Sequence, residues 1–379
     1  METFKGARKV LIGSSKIDDL FSGARKVFVV CDPFLNESGT VKYLTDRLDN
    51  MNIAYDVYSD IQPDPSVDLV ADGIGALTHS NPDVAVGFGG GSAIDACKAM
   101  LYFARKEGLI ENVQFVAIPT TSGTGSEVTD FSVITDKEKG IKYPIVDETL
   151  LPDVAILDAQ LTVTVPKPIT AMTGMDVVTH AIEALVSKNA TDFSDAAAEK
   201  SIKLVRDNLL KIYKNPTDIE ARQSMHNASC LAGIAFNNAG LGLNHGMAHA
   251  LGGKFHIPHG KANAVLLPYV MGFNAGCFDQ LNEHAHGYAR IARLIHQDSS
   301  SIRQSALNLI RSVKKLNKDL DLPANIKEIG ISEEDFLAAV DEMSVAAHND
   351  RCTVTNPREC TVEEIKQLFL HAYYGKVRR

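Results

Sequence analysis

Strand-like and helix-like hydropathy alternate through roughly the first 160 residues and then the strands stop, a change of rhythm that limits the fold more than any other feature. Lys26–Cys31 (KVFVVC) is β-branched and strand-like, Thr40–Met51 has helical spacing, Ile53–Tyr58 reads as strand and Ser66–Ser80 as helix. Asp83–Gly89 (DVAVGFG) is again a strand, a helical stretch runs on to Lys106, and Gln114–Thr120 (QFVAIPT) is a further strand. Strands separated by helices predict a parallel sheet of doubly wound α/β type, because parallel neighbours need a crossover and a helix supplies it. Beyond Pro166 the segments Met172–Ser187, Asp195–Lys214, Ile219–Asn237, Ala262–Phe273, Leu281–His296, Ser300–Leu316 and Ser332–Ala346 all carry apolar residues at helical spacing. The expectation is an α/β, Rossmann-like nucleotide domain over residues 1–163 and an all-helical metal-binding and catalytic domain over 164–379. Pro166 and Pro168 of VPKP form the expected hinge. A chain of 379 residues is too long for one core, which agrees with two domains.

The net charge of −9 is spread along the chain, with no stripe of Lys and Arg to neutralise phosphates, so nucleic acid is not an expected partner. No apolar run approaches the roughly 18 to 20 residues of a membrane span, and METFKGARKVLIGSS lacks the apolar centre of a secretory signal. The cysteines Cys31, Cys97, Cys230, Cys277, Cys352 and Cys360 form no CxxC pair, which suits a reducing cytoplasm.

Asp83–Met100 (DVAVGFGGGSAIDACKAM) is a strand, a cluster of glycines at Gly87, Gly89, Gly90 and Gly91, and then Ser92 opening a helix. Glycines admit a ligand close to the backbone, and a helix N-terminus offers N–H groups and partial positive charge, which together suit a pyrophosphate. The spacing is not the usual GxGxxG, and a plain strand-to-helix turn reads equally well from this segment alone. A second polar loop, Ile118–Thr129 (IPTTSGTGSEVT), also follows an apolar strand, and two such loops at strand carboxyl ends lie where open α/β sheets bind ligands. Asp32 ends the strand KVFVVC. An acid there accepts from ribose hydroxyls and repels a 2′-phosphate, favouring NAD over NADP; its plain alternative is a turn residue before Pro33.

Gly174–Ala184 (GMDVVTHAIEA) places Asp176 and His180 four apart on one helix face. Leu243–Gly260 (LNHGMAHALGGKFHIPHG) holds His245, His249, His256 and His259 in a glycine-rich stretch that reads as helical only in part. A carboxylate with imidazoles suits Fe2+ or Zn2+ better than Ca2+ or Mg2+. Spacing makes all of these residues candidate ligands and does not choose among the four clustered histidines.

These motifs, taken with GLGLNHGMAHALGG at Gly240–Gly253, PHGKANA at Pro258–Ala264 and NPR at Asn356–Arg358, resemble the iron-containing, group III alcohol dehydrogenases nearly end to end. GIKYP at Gly140–Pro144, MHNAS at Met225–Ser229 and FHIPHG at Phe255–Gly260 are similar to the propanol dehydrogenases of propanediol utilisation, and next to the alcohol dehydrogenases of ethanolamine utilisation. The resemblance implies a metal held by Asp176, His180, His245 and His259, with His249 freed for the substrate side as a proton-relay residue and no role carried over to His256. It assigns Asp32, Gly89, Gly90, Gly91, Ser92, Thr120, Thr121, Thr124 and Lys142 to NAD(H). Many members have Asn-Pro where this chain has Asp64-Pro65, so no adenosine contact is assigned to Asp64. It further implies Fe2+, with Zn2+ on the same ligands, a homo-oligomer, and a place in a bacterial microcompartment beside shell or enzyme partners.

The expected activity is reversible hydride transfer between NAD(H) and a short-chain aliphatic aldehyde or primary alcohol, the metal acting as Lewis acid on the substrate oxygen. The rivals are a polyol dehydrogenase of the glycerol or propanediol type, a dehydroquinate-synthase-like lyase, and a metal-dependent hydrolase with no nucleotide.

Overall fold

In the computed structural model, which describes residues 3–137 and 141–375, the chain divides into two compact units, Met1–Thr164 and Val165–Arg379. The first unit runs β1 (Lys9–Ile12), α1 (Ile17–Phe21), β2 (Lys26–Val30), α2 (Pro33–Glu37), α3 (Lys42–Asn50), β3 (Ala54–Tyr58), α4 (Val67–Ser80), β4 (Val84–Gly89), α5 (Gly91–Lys106) and β5 (Gln114–Pro119). It ends with a hairpin, β6 (Phe131–Asp136) and β7 (Ile141–Val146), and with β8 (Val154–Leu157). Six strands form one sheet in the order β1-β8-β5-β4-β2-β3, and every pairing in it is parallel.

The side-chain period of two explains how these short strands hold helices on both faces. Phe28, Val30, Phe115 and Ala117 point to one side, where Val70, Leu77, Ile94 and Met100 of α4 and α5 cover them. Val27, Val29, Val86, Val116 and Ile118 point to the other, against Ile17, Phe21, Leu44 and Leu48 of α1 and α3. From β2 the chain moves outward to β3 and then returns to β4 on the opposite side of β2. The carboxyl ends of β2 and β4 are therefore the switch point of the sheet, where Asp32 and Gly89 sit.

The second unit runs α6 (Lys167–Val186), α7 (Asp192–Lys214), α8 (Ile219–Ala239), α9 (Leu243–Phe255), α10 (His259–Asn274), α11 (Ala285–Leu294), α12 (Ile302–Asp319), α13 (Glu333–Asn349) and α14 (Val362–Tyr374). Leu243, Met247 and Leu251 of α9, Val265 and Leu266 of α10, Phe336 and Met343 of α13 and Phe369 of α14 share one core. Pro166 and Pro168, expected as a hinge, lie at the start of α6: Pro166 is its extended cap, and Pro168 occupies the first turn, where a missing N–H costs nothing. The 20 residues of α6 also correct the expectation that no stretch is long and apolar enough to cross a membrane. By length and composition α6 is, and 78% of its most apolar window is buried, as in a core helix.

The stretch expected to be partly helical is helical from Leu243 to Phe255, and its glycines serve packing. A Cβ on Gly246 would lie 2.2 Å from Thr353 Oγ1 and 2.9 Å from the Ala347 carbonyl, so only glycine lets α9 approach the end of α13 this closely. His256 ends α9 in the left-handed region at φ 54°, a helix terminator exposed to solvent.

Candidate functional site

In the first unit, β4 delivers the chain to Gly90, the extended cap of α5, and the first N–H groups of that 16-residue helix follow at once. Close approach of the second loop requires glycine at Gly91, and the turn of α5 that follows requires it at Gly89. A Cβ on Gly91 would lie 2.7 Å from Thr124 Cγ2, one on Gly89 would lie 2.8 Å from Ala93 Cβ, and Gly90 faces Thr121 at 3.5 Å. Thr120 donates its N–H to the Gly89 carbonyl at 2.9 Å, joining the two loops at their roots. Ser92 opens the helix beside Gly91. Asp32 spends one oxygen as the cap of α2, accepting the Leu35 N–H at 2.9 Å, while Oδ2 lies 3.7 Å from where a Gly89 Cβ would be. Lys142 pairs with Thr135 across the β6–β7 hairpin, and its side chain lies outside the described residues.

Behind the loops, α5 carries a buried Lys98 and a half-buried Asp95. Lys98 Nζ donates to the Thr129 carbonyl at 2.8 Å, Thr129 Oγ1 at 3.1 Å and the Phe131 carbonyl at 2.9 Å. One turn earlier, Asp95 accepts from Ser126 Oγ and from the Val133 N–H at 3.1 Å. The pair thus ties both ends of the segment that follows the second loop. Burial pushes Glu127 up to about 7 and Lys98 down to about 8.

In the second unit, Asp176 and His180 lie one turn apart on α6, His245 comes from α9, and His259 is the first residue of α10. Their ligand atoms all fall within 4.8 Å of one another. His180 Nε2 is 3.9 Å from Asp176 Oδ2, and His245 Nε2 and His259 Nε2 are 4.0 and 3.5 Å from Asp176 Oδ1. Asp176, His180 and His245 are buried, and His259 closes the exposed side. Burial, with the neighbouring imidazoles His180, His259 and His249, holds the His245 pKa well below its ordinary value, so its ring is a neutral donor. Three imidazoles and one carboxylate, converging without a cationic side chain among them, fit a divalent ion of the Fe2+ or Zn2+ kind.

Two residues that the sequence analysis did not single out surround this set. Glu183, buried on α6, takes the hydrogen bond of His245 Nδ1 and accepts the Asn244 N–H at 2.7 Å; burial pushes it up to about 8. With Nδ1 held by Glu183, His245 turns Nε2 toward Asp176 and its neighbours. Asn263, one turn along α10 from His259, donates to Asp176 Oδ1 at 2.7 Å and lies 3.2 and 3.1 Å from His245 Nε2 and His259 Nε2. Both carry a local signal, since each sits three or four positions from a candidate ligand on the same helix face.

His249, one turn after His245, turns the other way. Its side chain is 40% exposed, its ring stacks on His259 with centroids 5.3 Å apart, and its Nδ1 lies 2.8 Å from Asp350 Oδ2. The i, i+4 pair of histidines is therefore split between a buried cluster and an exposed one. Asp350 lies 101 positions from His249 and has no local signal.

Comparison with known proteins follows the same division of the chain. Residues 7–159 match the family profile described as iron-containing alcohol dehydrogenase, and residues 170–373 match that described as Fe-containing alcohol dehydrogenase family, C-terminal. The chain is 44% identical to a 1-propanol dehydrogenase of Citrobacter freundii, over 97% of this chain and 99% of that protein. It is 39% identical to an NADPH-dependent butanol dehydrogenase of Clostridium saccharobutylicum, over 99% of each. A solved structure of 1,3-propanediol oxidoreductase superposes with a TM-score of 0.90 at 33% identity, covering 98% of this chain and 100% of that one.

Proposed function

Because the chain belongs to the iron-containing alcohol dehydrogenase family, we propose that it interconverts short-chain aliphatic aldehydes (propanal, acetaldehyde, butanal) and primary alcohols, with Asp176, His180, His245 and His259 as its metal ligands. Membership makes it a metal-dependent oxidoreductase acting on alcohols, with NAD(H) and iron as cofactors. The observation that carries the ligand reading is the convergence of those four donor atoms within 4.8 Å of one another.

When bound, the ion supplies Lewis acidity toward the substrate oxygen and NAD(H) supplies or takes up the hydride. Asp176 contributes one negative charge, which leaves its four-residue set net positive around a divalent ion, the sign that favours negative charge developing on oxygen. Asn263 fixes the Asp176 carboxylate, and Glu183 fixes the His245 ring with its Nε2 inward. His249 holds and passes the proton exchanged with the alcohol oxygen.

Glu183→Gln keeps the shape and an acceptor oxygen while replacing the carboxyl that holds His245 Nδ1 by an amide. Metal affinity is expected to fall about 10- to 100-fold, read as the dissociation constant for Zn2+ by competition with a chelating dye; unchanged affinity would remove Glu183 from the metal's support.

Asp32, Gly89, Gly90, Gly91, Ser92, Thr120, Thr121, Thr124 and Lys142 form the proposed NAD(H) set. The support is that Asp32 lies at the switch point of the sheet with Oδ2 turned toward Gly89. Asp32→Gly costs only a few tenths of a kcal/mol as a helix cap, because glycine is a tolerated cap residue. It is expected to raise kcat/KM for NADPH relative to NADH by about tenfold, roughly 1.4 kcal/mol of relieved repulsion against a 2′-phosphate. An unchanged ratio would mean that Asp32 does not face the ribose.

The polyol reading remains the second one, favoured by the likeness to 1,3-propanediol oxidoreductase. NADH oxidation with propanal against dihydroxyacetone separates the two: the first reading expects propanal to be the faster substrate. The proposal extends to a cytoplasmic homo-oligomer housed in a bacterial microcompartment, which sedimentation and cell fractionation test.

A further inference from the structure

Gly246 brings α9 against the end of α13, and this contact places a carboxylate beside His249, a site histidine that faces solvent. Asp350 follows α13 directly with an extended ψ of 137°. Its Oδ1 accepts the Cys352 N–H at 2.7 Å, and its backbone carbonyl accepts the Thr353 N–H at 3.0 Å, so the side chain is held by its own turn. The other oxygen, Oδ2, lies 2.8 Å from His249 Nδ1. The His249 ring is held in a second direction by its stack on His259, at an interplanar angle of 21°. Asp350 is 19% exposed and His249 40%, so the carboxylate lies behind the ring and solvent meets the imidazole.

We propose that Asp350 is the positioning residue of His249, fixing its ring and placing its proton on Nδ1 so that Nε2 is the atom presented to the alcohol or aldehyde. A carboxylate has no proton to give and must accept from Nδ1–H, which leaves the lone pair of the neutral ring on Nε2. This inference rests on the reading that His249 serves the reaction, and it adds a partner that neither the motifs nor helix spacing supplies. Asp350 acts through His249 and needs no contact with substrate.

Asp350→Asn tests this without disturbing the turn, because the amide oxygen still accepts the Cys352 N–H while the amide N–H2 faces Nδ1 and reverses the tautomer. A cycle of D350N, H249A and the double variant, each loaded with metal, is assayed with propanal and NADH. The expected result is a kcat lowered about 10- to 100-fold in D350N, with KM for propanal within about twofold and metal content and Tm unchanged. The double variant is expected to be no slower than H249A, since the partner of Asp350 is already gone. A wild-type kcat in D350N, or losses that multiply in the double variant, would overturn the proposal. H249A at the wild-type rate would overturn it together with the reading of His249. Nitrogen-15 shifts of the His249 imidazole in the zinc-loaded protein test the positioning whatever the substrate: Nδ1–H in the wild type and Nε2–H in D350N are expected, and the same tautomer in both would refute it.

Discussion

His259→Ala is expected to lose the bound metal and roughly a thousandfold or more of turnover while the protein stays folded. Loss of Lewis-acid assistance is worth several kcal/mol, and about 4 kcal/mol corresponds to that factor in rate. His259 opens α10 on the exposed side of the cluster, so truncation there leaves no buried group without a partner. His245→Ala should strip the metal equally but differ in stability. His245 is 1% exposed and bonded to the buried carboxyl of Glu183, so its removal opens a buried space and leaves one oxygen of that carboxyl without its His245 partner. Leaving a buried polar group unsatisfied costs about 1 to 3 kcal/mol, and the cavity adds to it. Metal analysis and Tm on the two variants give the check: both are metal-free and inactive, and only His245→Ala melts much lower. A full metal complement in either variant would dismiss that residue as a ligand.

Lys98→Met is expected to destabilise the first unit by about 3 to 5 kcal/mol, because three acceptors lose their donor and the neighbouring acids, Asp95 and the buried Glu127, lose their cation. Lys98 is 1% exposed, and its three hydrogen bonds all go to Thr129 and Phe131. Methionine fills the volume but satisfies neither carbonyl, and the buried Glu127 loses its neighbouring cation. The same substitution removes the Lys98 tie between α5 and the start of β6 and leaves only those of Asp95, so the second loop is held less firmly behind Thr120–Thr124. The urea midpoint of unfolding should fall, and KM for NADH in the surviving folded protein should rise. An unchanged midpoint would mean that the Asp95–Lys98 ties carry little energy.

Period-two and helical spacing made the central strands and most of the helices legible, because their burial is two-faced in the sheet and one-sided in the helices. The hidden elements lack that contrast. β1 is an edge strand of four residues, with three exposed and one partly buried, and β6–β7 is a hairpin outside the main sheet. α9 was obscured by Gly246, Gly252 and Gly253, whose composition argues against a helix. Gly246 is there for its close approach to Thr353 and Ala347, a contact between residues a hundred positions apart. Spacing placed Asp176 and His180 on one face, since one helix carries both, and their reading as ligands rests on the family resemblance. The separation of His245 from His249 was not written in their spacing: it depends on which face of α9 meets α6 and which meets the end of α13. For the same reason Glu183 and Asn263 were legible in principle, each sharing a helix face with a candidate ligand, and Asp350 was not.

The central claim is an alcohol dehydrogenase whose turnover depends on one divalent ion held by Asp176, His180, His245 and His259. It is tested most directly by stripping anaerobically purified protein with a chelator and titrating Fe2+ back while following NADH oxidation with propanal. Activity absent from the stripped protein and rising in proportion to iron until one equivalent per chain is bound is the predicted result. Turnover that survives complete metal removal, or iron binding without any NADH-linked reduction of an aldehyde, would contradict it.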